Sequence, residues 1–269
     1  MDNLYKPYLS KILKVTKHTE LEYTFKMEYT GDVKPGQFFE VSVPKYGEAP
    51  ISVSGVGKKG EKGENWVDIT IRRVGKVTKE LFEGSEGKSF FMRGPYGNGF
   101  DVELYKGKQL IVVAGGTGVS PVRGVINYFH KNIELTKGFS VIIGFKTPSD
   151  ILFQEDVKLW SQNKDFILTV DRSGEGYVGN EGMVTKYIPD IRISDVENVQ
   201  AIAVGPPPMM NAVVAQFLSR SIPEKNIWVS YERRMSCGLG KCGHCRMSDK
   251  YICLDGPVFN YTEAKSLVD

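Results

Sequence analysis

The stretch that decides the fold is LIVVAGGTGVSPVRGVINYFHK, residues 110–131. It begins with a continuous apolar run, which is typical of a β-strand buried on both faces. After the glycines, apolar residues recur with helical spacing at Val122, Val125, Ile126 and Phe129. The stretch therefore predicts a buried strand, a glycine-rich turn and a helix in direct succession.

The same alternation continues toward the C-terminus. FSVIIGF, FILTVDR, AIAVG and NIWVSYE are further apolar runs, and LFQEDVKLW, MVTKYI and PPMMNAVVAQFL between them predict helices. Strands that alternate with helices in this way imply a parallel sheet, whose carboxyl edge forms nucleotide-sized crevices. We assign residues 102–233 to this α/β domain and expect it to bind a nicotinamide nucleotide.

The region before this domain has a different rhythm. Short segments rich in β-branched and aromatic residues, bounded by Gly and Pro, occur at residues 37–43, 51–57, 66–75 and 88–94. Several strands at this spacing predict an antiparallel barrel or sandwich over residues 1–101. One helix interrupts the strands and begins at Thr78, and GPYGNGF at residues 94–100 is expected to be a hinge that also contacts a cofactor.

Two glycine-containing strand ends in the α/β domain are candidates for the nucleotide site. The residues are Gly115, Gly116, Thr117, Gly118 and Val119 after the first strand, and Gly205, Pro206 and Met209 after the fourth. Glycines let the backbone approach a phosphate, and the N-terminus of the following helix favours negative charge. The alternative is that these turns need glycine for their geometry alone.

A second candidate site lies in the barrel, where Gly75, Val77 and Thr78 lead into its one helix. A pyrophosphate could rest on that N-terminus. Arg72 and its neighbour Arg73 could add charge-assisted hydrogen bonds. The alternative is an ordinary capped helix beside a solvated pair of arginines.

The four cysteines of the chain are Cys237, Cys242, Cys245 and Cys253, all in one short segment of the tail, residues 234–269. The C-x4-C-x2-C spacing of the first three is that of plant-type 2Fe–2S ferredoxins, with a fourth cysteine downstream. Glycines between the ligands allow backbone N–H groups to face the sulfurs. A zinc site, which usually shows paired C-x2-C knuckles, and two disulfides are the alternatives. His244 is expected to be a loop residue.

Composition excludes several classes of protein. The chain has 269 residues, of which 41% are hydrophobic and 25% charged, and its formal charge is +3. This small charge gives no reason to expect nucleic acid or an acidic membrane surface as a partner. No run of about eighteen apolar residues predicts a membrane span, and the N-terminus lacks the apolar stretch of a secretory signal. We therefore expect a cytoplasmic protein.

A barrel followed by a parallel nucleotide domain with AGGTGVSP and VGPPPMM resembles the ferredoxin–NADP reductase superfamily over nearly the whole chain. The cysteine tail resembles the branch that contains the electron-transfer subunit of dihydroorotate dehydrogenase B. GEAPISVS, RRVGKVT, YGNG, VVAGGTGVSPV and YERRMSCGLGKCGHCRM are similar to the B subunits of anaerobic sulfite reductases. The resemblance implies an α+β two-domain reductase with an N-terminal antiparallel barrel, a C-terminal parallel α/β nucleotide-binding domain and a cysteine-rich cluster tail.

The resemblance also implies FAD as the flavin and a contact segment for it. The superfamily's R-x-Y-S motif aligns with Ala49, Pro50, Ile51 and Ser52, so its Arg and Tyr are absent here. Ser52 is expected to hydrogen-bond near the flavin N5 and Ile51 to pack on the ring face. The expected flavin-contact residues are Pro50, Ile51, Ser52, Val53 and Ser54, with Arg72 or Arg73 compensating for the missing Arg.

The activity that the resemblance implies is electron transfer from NADH through FAD and a 2Fe–2S cluster to a partner. The partners would be the other subunits of a sulfite reductase complex, one bearing siroheme and one ferredoxin-like. No residue of this chain is assigned a catalytic role. Two alternatives remain. The chain could be the electron-transfer subunit of another partner such as dihydroorotate dehydrogenase, or a non-enzymatic, nucleotide-binding redox sensor.

The choice of nicotinamide is expected to depend on Asp171 and Arg172, which end the third strand of the α/β domain. NADP-using relatives present a Ser–Arg pair at this place, and the Ser position is Asp171 here. A carboxylate accepts hydrogen bonds from a ribose 2′-hydroxyl and repels a 2′-phosphate, whereas an Arg accommodates that phosphate. We expect the carboxylate to decide in favour of NADH. The alternative is that Asp171 only caps a turn.

Overall fold

The structure is a computed structural model that describes residues 4–57 and 65–267. The chain forms two units. The first contains the described residues up to Phe100, together with Tyr231–Val258 and Leu267, and the second contains Asp101–Ser230 and Phe259–Ser266. The break after Phe100 lies next to the expected boundary. The tail expected at 234–269 is divided between the two units. Residues 1–3, 58–64 and 268–269 of the expected ranges lie outside the described residues.

The first unit is a six-stranded antiparallel barrel. Its strands are β1 (Tyr8–Lys17), β2 (Glu22–Glu28), β3 (Phe38–Val43), β4 (Gly47–Gly57), β5 (Trp66–Arg72) and β6 (Ser89–Tyr96), with the helix α1 (Lys76–Leu81) between the last two. The strands close in the order β1-β2-β5-β4-β3-β6. Alternate side chains point into the barrel because successive residues of a strand face opposite sides. They form a buried core that includes Phe39, Val41, Val53, Ile69 and Ile71.

The helix α1 begins at Lys76, two residues before the predicted start. The hydroxyl of Thr78 accepts the backbone N–H groups of Val74 and Gly75, each at 2.9 Å. These bonds stabilise the entry of the helix, since the first N–H groups of a helix have no partner within it. Leu81 then packs into the barrel core.

The second unit alternates strands and helices, as predicted. In chain order these are β7 (Gln109–Gly115), α2 (Val119–Lys131), β8 (Gly138–Phe145), α3 (Gln154–Trp160), β9 (Phe166–Val170), β10 (Asn180–Glu181), β11 (Val199–Val204), α4 (Pro207–Ser219) and β12 (Ile227–Ser230). Single 3₁₀ turns occur at Val102–Tyr105, Gly116–Gly118, Ile133–Leu135, Pro148–Asp150, Val184–Tyr187, Val196–Asn198 and Glu224–Asn226. The helix predicted from MVTKYI is therefore only one 3₁₀ turn.

The tail contains more regular structure than its sequence predicts. It forms β13 (Arg246–Met247), β14 (Lys250–Tyr251), α5 (Ile252–Asp255), β15 (Val258–Asn260) and α6 (Tyr261–Ala264). The strands β13 and β14 pair as a small antiparallel hairpin. These elements are two to four residues long, too short for a periodic pattern to develop in the sequence.

The sheet of the second unit has seven strands in the order β10-β9-β8-β7-β11-β12-β15. The pairs from β10 to β12 are parallel. The carboxyl ends of β7 and β11 are neighbours, because Val204 pairs with Ala114 in their register. This neighbourhood is what positions the two glycine-containing turns.

Candidate functional site

The two glycine turns of the second unit lie against each other. A Cβ atom on Gly118 would be 2.7 Å from the Cα of Gly205 and 2.7 Å from the carbonyl oxygen of Val204. Gly118 itself has an ordinary helical φ of −62°. Glycine is therefore required here for close approach of two backbones, as in nucleotide-binding turns.

The start of α4 completes this arrangement. Pro206 precedes the helix, and the side chain of Met209 packs where a Cβ on Gly115 or Gly205 would lie. The turn Gly116–Gly118 leads directly into α2, a helix of 13 residues. The N-terminus of such a helix favours a phosphate. The structure thus brings together the two turns predicted for the nucleotide site, residues 115–119 and the one that contains Gly205, Pro206 and Met209.

Asp171 and Arg172 follow β9 at its carboxyl end, and both side chains are exposed. The backbone N–H of Asp171 donates to the carbonyl of Phe145 at 2.8 Å, and that of Arg172 donates to the carbonyl of Lys146 at 3.0 Å. These bonds fix the backbone at the sheet edge and leave both side chains open to solvent, as a contact with the nucleotide ribose requires.

The predicted flavin segment in β4 divides between the two faces of the barrel. Ile51 and Val53 point into the barrel core. Ser54 is fully buried, and its hydroxyl lies 2.7 Å from that of Thr70. Pro50 and Ser52 alternate to the outer face and are partly exposed. The strand's period of two turns the side chain of Ile51 inward, which disfavours its expected packing on the flavin ring, and that contact stays a prediction.

The barrel arginines are already engaged. Arg72 forms an ion pair with Glu22, with Nε and Oε1 3.2 Å apart, and the guanidinium of Arg73 lies 5.6 Å from the centre of the Phe82 ring. The Arg72 side chain is 48% exposed, so such a pair contributes little to stability and yields readily to a stronger anion. Gly75 and Val77 lie at the start of α1, beside Thr78, whose hydroxyl caps the entry of the helix.

Backbone N–H groups surround the cysteine sulfurs in residues 236–253, which we call the cluster loop. Those of Leu239 and Lys241 each donate to the Sγ of Cys237 at 3.3 Å, and that of Gly240 donates to the Sγ of Cys253 at 3.2 Å. The glycines at 238, 240 and 243 have φ values of 71°, 68° and 81°, which permit this backbone. Hydrogen bonds to the sulfurs are typical of iron–sulfur sites and tune their potentials.

The backbone N–H of Cys253 donates to the Sγ of Cys245 at 3.5 Å, so these two ligand positions also lie side by side. A Cys₄ 2Fe–2S cluster divides its ligands between two irons. Within residues 4–57 and 65–267 no group of His, Cys, Asp or Glu is arranged around one metal-ion position. The choice of a 2Fe–2S cluster over zinc therefore rests on the C-x4-C-x2-C spacing and on the N–H groups that face the sulfurs.

The thiols differ in their electrostatic surroundings. The backbone N–H of His244 lowers the pKa of the exposed Cys242, whereas burial raises the pKa of Cys253 to about 12. Cys237 and Cys245 are buried as well. A bound metal deprotonates its thiol ligands outright, and its positive charge offsets the cost of burying the resulting thiolates. His244 serves Cys242 through its backbone, as expected of a loop residue.

Known protein families match both regions. The oxidoreductase NAD-binding domain matches residues 112–215, and the iron–sulfur cluster binding domain of dihydroorotate dehydrogenase B matches residues 232–265. Subunit gamma of sulfhydrogenase 2 from Pyrococcus furiosus is 35% identical over 98% of both chains. A probable dihydroorotate dehydrogenase B electron-transfer subunit from Thermococcus kodakarensis is 33% identical over 87% of this chain and 88% of that protein.

The chain belongs to the family that contains sulfhydrogenase gamma subunits and the electron-transfer subunits of dihydroorotate dehydrogenase B. A solved structure of an NADH-dependent reduced ferredoxin–NADP oxidoreductase, studied for flavin-based electron bifurcation, agrees with a TM-score of 0.77 and 27% identity, covering 95% of this chain and 89% of that one. Family and fold together support NADH, FAD and an iron–sulfur cluster as cofactors. None of the helices in the described part of the chain has the length and apolar character of a membrane span.

Two residues important to the cluster loop were not predicted from the sequence. Asn98 holds the chain just after the cluster loop, since its side-chain amide donates to the carbonyls of Asp255 and Val258, each at 2.8 Å. GPYGNGF thus also binds the tail, and its expected role as a hinge that contacts a cofactor stays a prediction. Arg93 holds the N-terminal end through the carbonyls of Ser236 and Cys237. A lone arginine in the apolar KSFFMRG strand was the available signal.

Proposed function

We propose that the chain is the electron-transfer subunit of a sulfite-reducing complex, in which it takes hydride from NADH and delivers single electrons through a 2Fe–2S cluster to a partner subunit. Family membership supports the electron-transfer part. The motifs similar to anaerobic sulfite reductase B subunits support the choice of complex, with a siroheme-bearing and a ferredoxin-like subunit as partners. A cytoplasmic location suits four free thiols, which a reducing compartment preserves.

The observation that carries the proposal is the arrangement of the cluster loop. Its N–H groups point at the sulfurs of Cys237 and Cys253, and the N–H of Cys253 points at the sulfur of Cys245. Buried thiols that served only to fill space would need no such donors. The loop therefore supports a cluster that is held by Cys237, Cys242, Cys245 and Cys253.

The remaining residues supply binding and orientation. Bound FAD accepts two electrons from NADH and releases them singly, which is chemistry that the protein itself lacks. Pro50 and Ser52 present the outer face of β4 to the flavin, and the N-terminus of α1 at Gly75 and Val77 suits its pyrophosphate. The turn before α2 binds the pyrophosphate of NADH, and the carboxylate of Asp171 accepts a hydrogen bond from its ribose 2′-hydroxyl.

A second candidate differs only in the partner. The end-to-end match with a sulfhydrogenase gamma subunit favours a complex of that kind. Anaerobic co-purification with the tagged full chain separates the candidates. A siroheme-bearing protein in the complex supports sulfite reduction, whereas a sulfhydrogenase or dihydroorotate-oxidising subunit in its place overturns that choice.

The cluster assignment is tested by Cys242→Ser with His244→Ala as the matched control. Wild type prepared without oxygen is expected to contain about one flavin and one 2Fe–2S cluster per chain. Cys242→Ser is expected to lose acid-labile sulfide and transfer to a one-electron protein acceptor, while NADH still bleaches the bound flavin. His244→Ala should keep both, because its backbone N–H survives. Zinc without sulfide in wild type, or a mere nucleotide-binding protein that sustains no dye reduction, contradicts the proposal.

A further inference from the structure

Arg93 lies on the outer face of β6 and is only 2% exposed. Its Nε and Nη2 atoms donate to the two carboxylate oxygens of Glu48, each at 2.9 Å. This two-point geometry is the strongest form of an arginine–carboxylate pair. Glu48 belongs to β4, two residues before Pro50, so the pair joins the flavin-contact strand to β6 across β3.

The remaining donors of Arg93 bind the cluster loop and its support. Nη1 donates to the hydroxyl of Tyr96 at 3.1 Å and to the carbonyl of Cys237 at 2.6 Å, and Nη2 donates to the carbonyl of Ser236. A guanidinium has five N–H bonds. All five are used, so Arg93 has no donor left for a flavin phosphate and does not replace the missing Arg of the family motif.

The first turn of the cluster loop rests on the same surface. A Cβ on Gly238 would lie 2.7 Å from Cε2 of Tyr96, so the loop backbone is in close contact with the ring. Tyr96 pairs with Phe38 of β3, which in turn pairs with Ser52 of β4. The row one step along is Arg93, Glu40 and Pro50. Residues of the flavin segment and the anchor of the loop thus occupy one face of three adjacent strands.

We propose that Arg93, oriented by Glu48, is a positioning residue that fixes Cys237, the first cluster ligand, on the barrel face that carries Pro50 and Ser52. The proposal rests on the proposed function for the identity of the cluster. Cys237 is the residue whose sulfur accepts the N–H groups of Leu239 and Lys241. The hydrogen bond from Arg93 to the carbonyl of Cys237 therefore fixes the position of the residue at which the sulfur-binding backbone begins.

The first test uses holoprotein of Arg93→Lys and Glu48→Gln. Lysine keeps the charge but has three donors from a single atom, so it cannot span Glu48 and both loop carbonyls. We expect an altered electron paramagnetic resonance spectrum of the reduced cluster, a shifted midpoint potential, and loss of iron to a chelator accelerated roughly tenfold. Glu48→Gln should change the same quantities in the same direction by less. Flavin content should stay at the wild-type level.

The control is Arg123→Lys, which alters another partly buried pair, Arg123 with Asp156, in the second unit. It should leave the spectrum, the potential and the rate of iron loss unchanged. Folded Arg93→Lys and Glu48→Gln proteins with wild-type values for all three quantities overturn the proposal. An equal change in the control also overturns it, since the effect would then be general destabilisation.

A second measurement is independent of the cluster. In chain stripped of iron, amide hydrogen exchange at Leu239 and Lys241 should be roughly tenfold faster in Arg93→Lys than in wild type, because the tether that restrains this backbone is lost. Equal rates overturn the positioning role even if the cluster is present. Absence of iron and sulfide from wild type would instead contradict the proposed function, while faster exchange in the variant would still support the tether.

Discussion

The nucleotide turns and the cluster loop both depend on glycine, but for different physical reasons. In the nucleotide turns, Gly118 has an ordinary φ and is required because another backbone occupies the place of its Cβ. In the cluster loop, Gly243 has open space around it and is required for its φ of 81°. The first region is held by backbone packing, and the second by backbone conformation together with side-chain tethers.

This difference determines what a substitution does. A side chain added to a packed turn displaces two strands at once, since neither β7 nor β11 can move without breaking the parallel sheet. A change in the cluster loop is absorbed locally until a tether is lost. The nucleotide site should therefore be sensitive to added atoms, and the cluster site to removed hydrogen bonds.

The largest effect is expected for Gly118→Ala. The new Cβ would lie 2.7 Å from two backbone atoms of the neighbouring strand end. We expect destabilisation of at least about 3 kcal/mol and a loss of NADH affinity of roughly a hundredfold. Thermal unfolding and NADH titration of the flavin-loaded protein measure the two quantities.

The matched control is Gly174→Ala, because the Cβ position of Gly174 has open space and its φ is not positive. It should bind NADH within about twofold of wild type, as exposed substitutions change free energies little. Normal NADH binding by Gly118→Ala would show that the nucleotide turns do not depend on close backbone contact. The contrast drawn between these turns and the cluster loop would then be wrong.

The sequence predicts the packed region well and the tethered region poorly, for a physical reason. Apolar periodicity and glycine are local signals, and parallel strand ends necessarily meet at one edge, so LIVVAGGTGVSP and AVGPPPMM were sufficient. The cysteine spacing likewise predicts the ligands. The bonds of Arg93 and Asn98 join residues that are about 150 positions apart in the chain. No local pattern records such a partner, and the inward turn of Ile51 also depends on a register that only the folded barrel defines.

The next largest effect concerns Glu40 of β3, whose cross-strand partner on β6 is Arg93. Its side chain is fully buried, and among the described residues its two oxygens have no hydrogen-bond partner. Burial raises the pKa of its carboxyl from 4.5 to about 7, although Arg93 lowers it and Glu48 raises it. The folded state therefore holds a proton that the unfolded state releases between these two values.

Stability is then expected to fall as pH rises from about 4.5 to 7 and to level off above that, because the unfolded chain binds fewer protons in this window. The difference in pKa sets a ceiling of about 3 kcal/mol. Glu40→Gln should gain about 2 kcal/mol at pH 8 and little at pH 4.5, since the amide hydrogens of glutamine also lack partners. Urea unfolding at both pH values measures this, with the exposed Glu20→Gln as control. A pH-independent difference between Glu40→Gln and wild type contradicts the buried carboxyl.

The smallest effect sharpens the comparison from within the nucleotide unit, because it depends on a side chain and not on backbone packing. Asp171 and Arg172 are both exposed at the carboxyl end of β9. A carboxylate accepts a hydrogen bond from the ribose 2′-hydroxyl of NADH and repels the 2′-phosphate of NADPH. An exposed arginine attracts that phosphate only weakly, because solvent screens the charge. We expect wild type to prefer NADH, and Asp171→Ser to shift the ratio of kcat/KM toward NADPH by roughly tenfold, or about 1.4 kcal/mol.

A dye acceptor allows both nucleotides to be compared, and Asp165→Ser, at the opposite end of the same strand, is the control for a general loss of charge. If Asp171 only caps its turn, the ratio will stay constant while thermal stability falls. If wild type prefers NADPH, the arginine decides and the assignment of Asp171 is wrong.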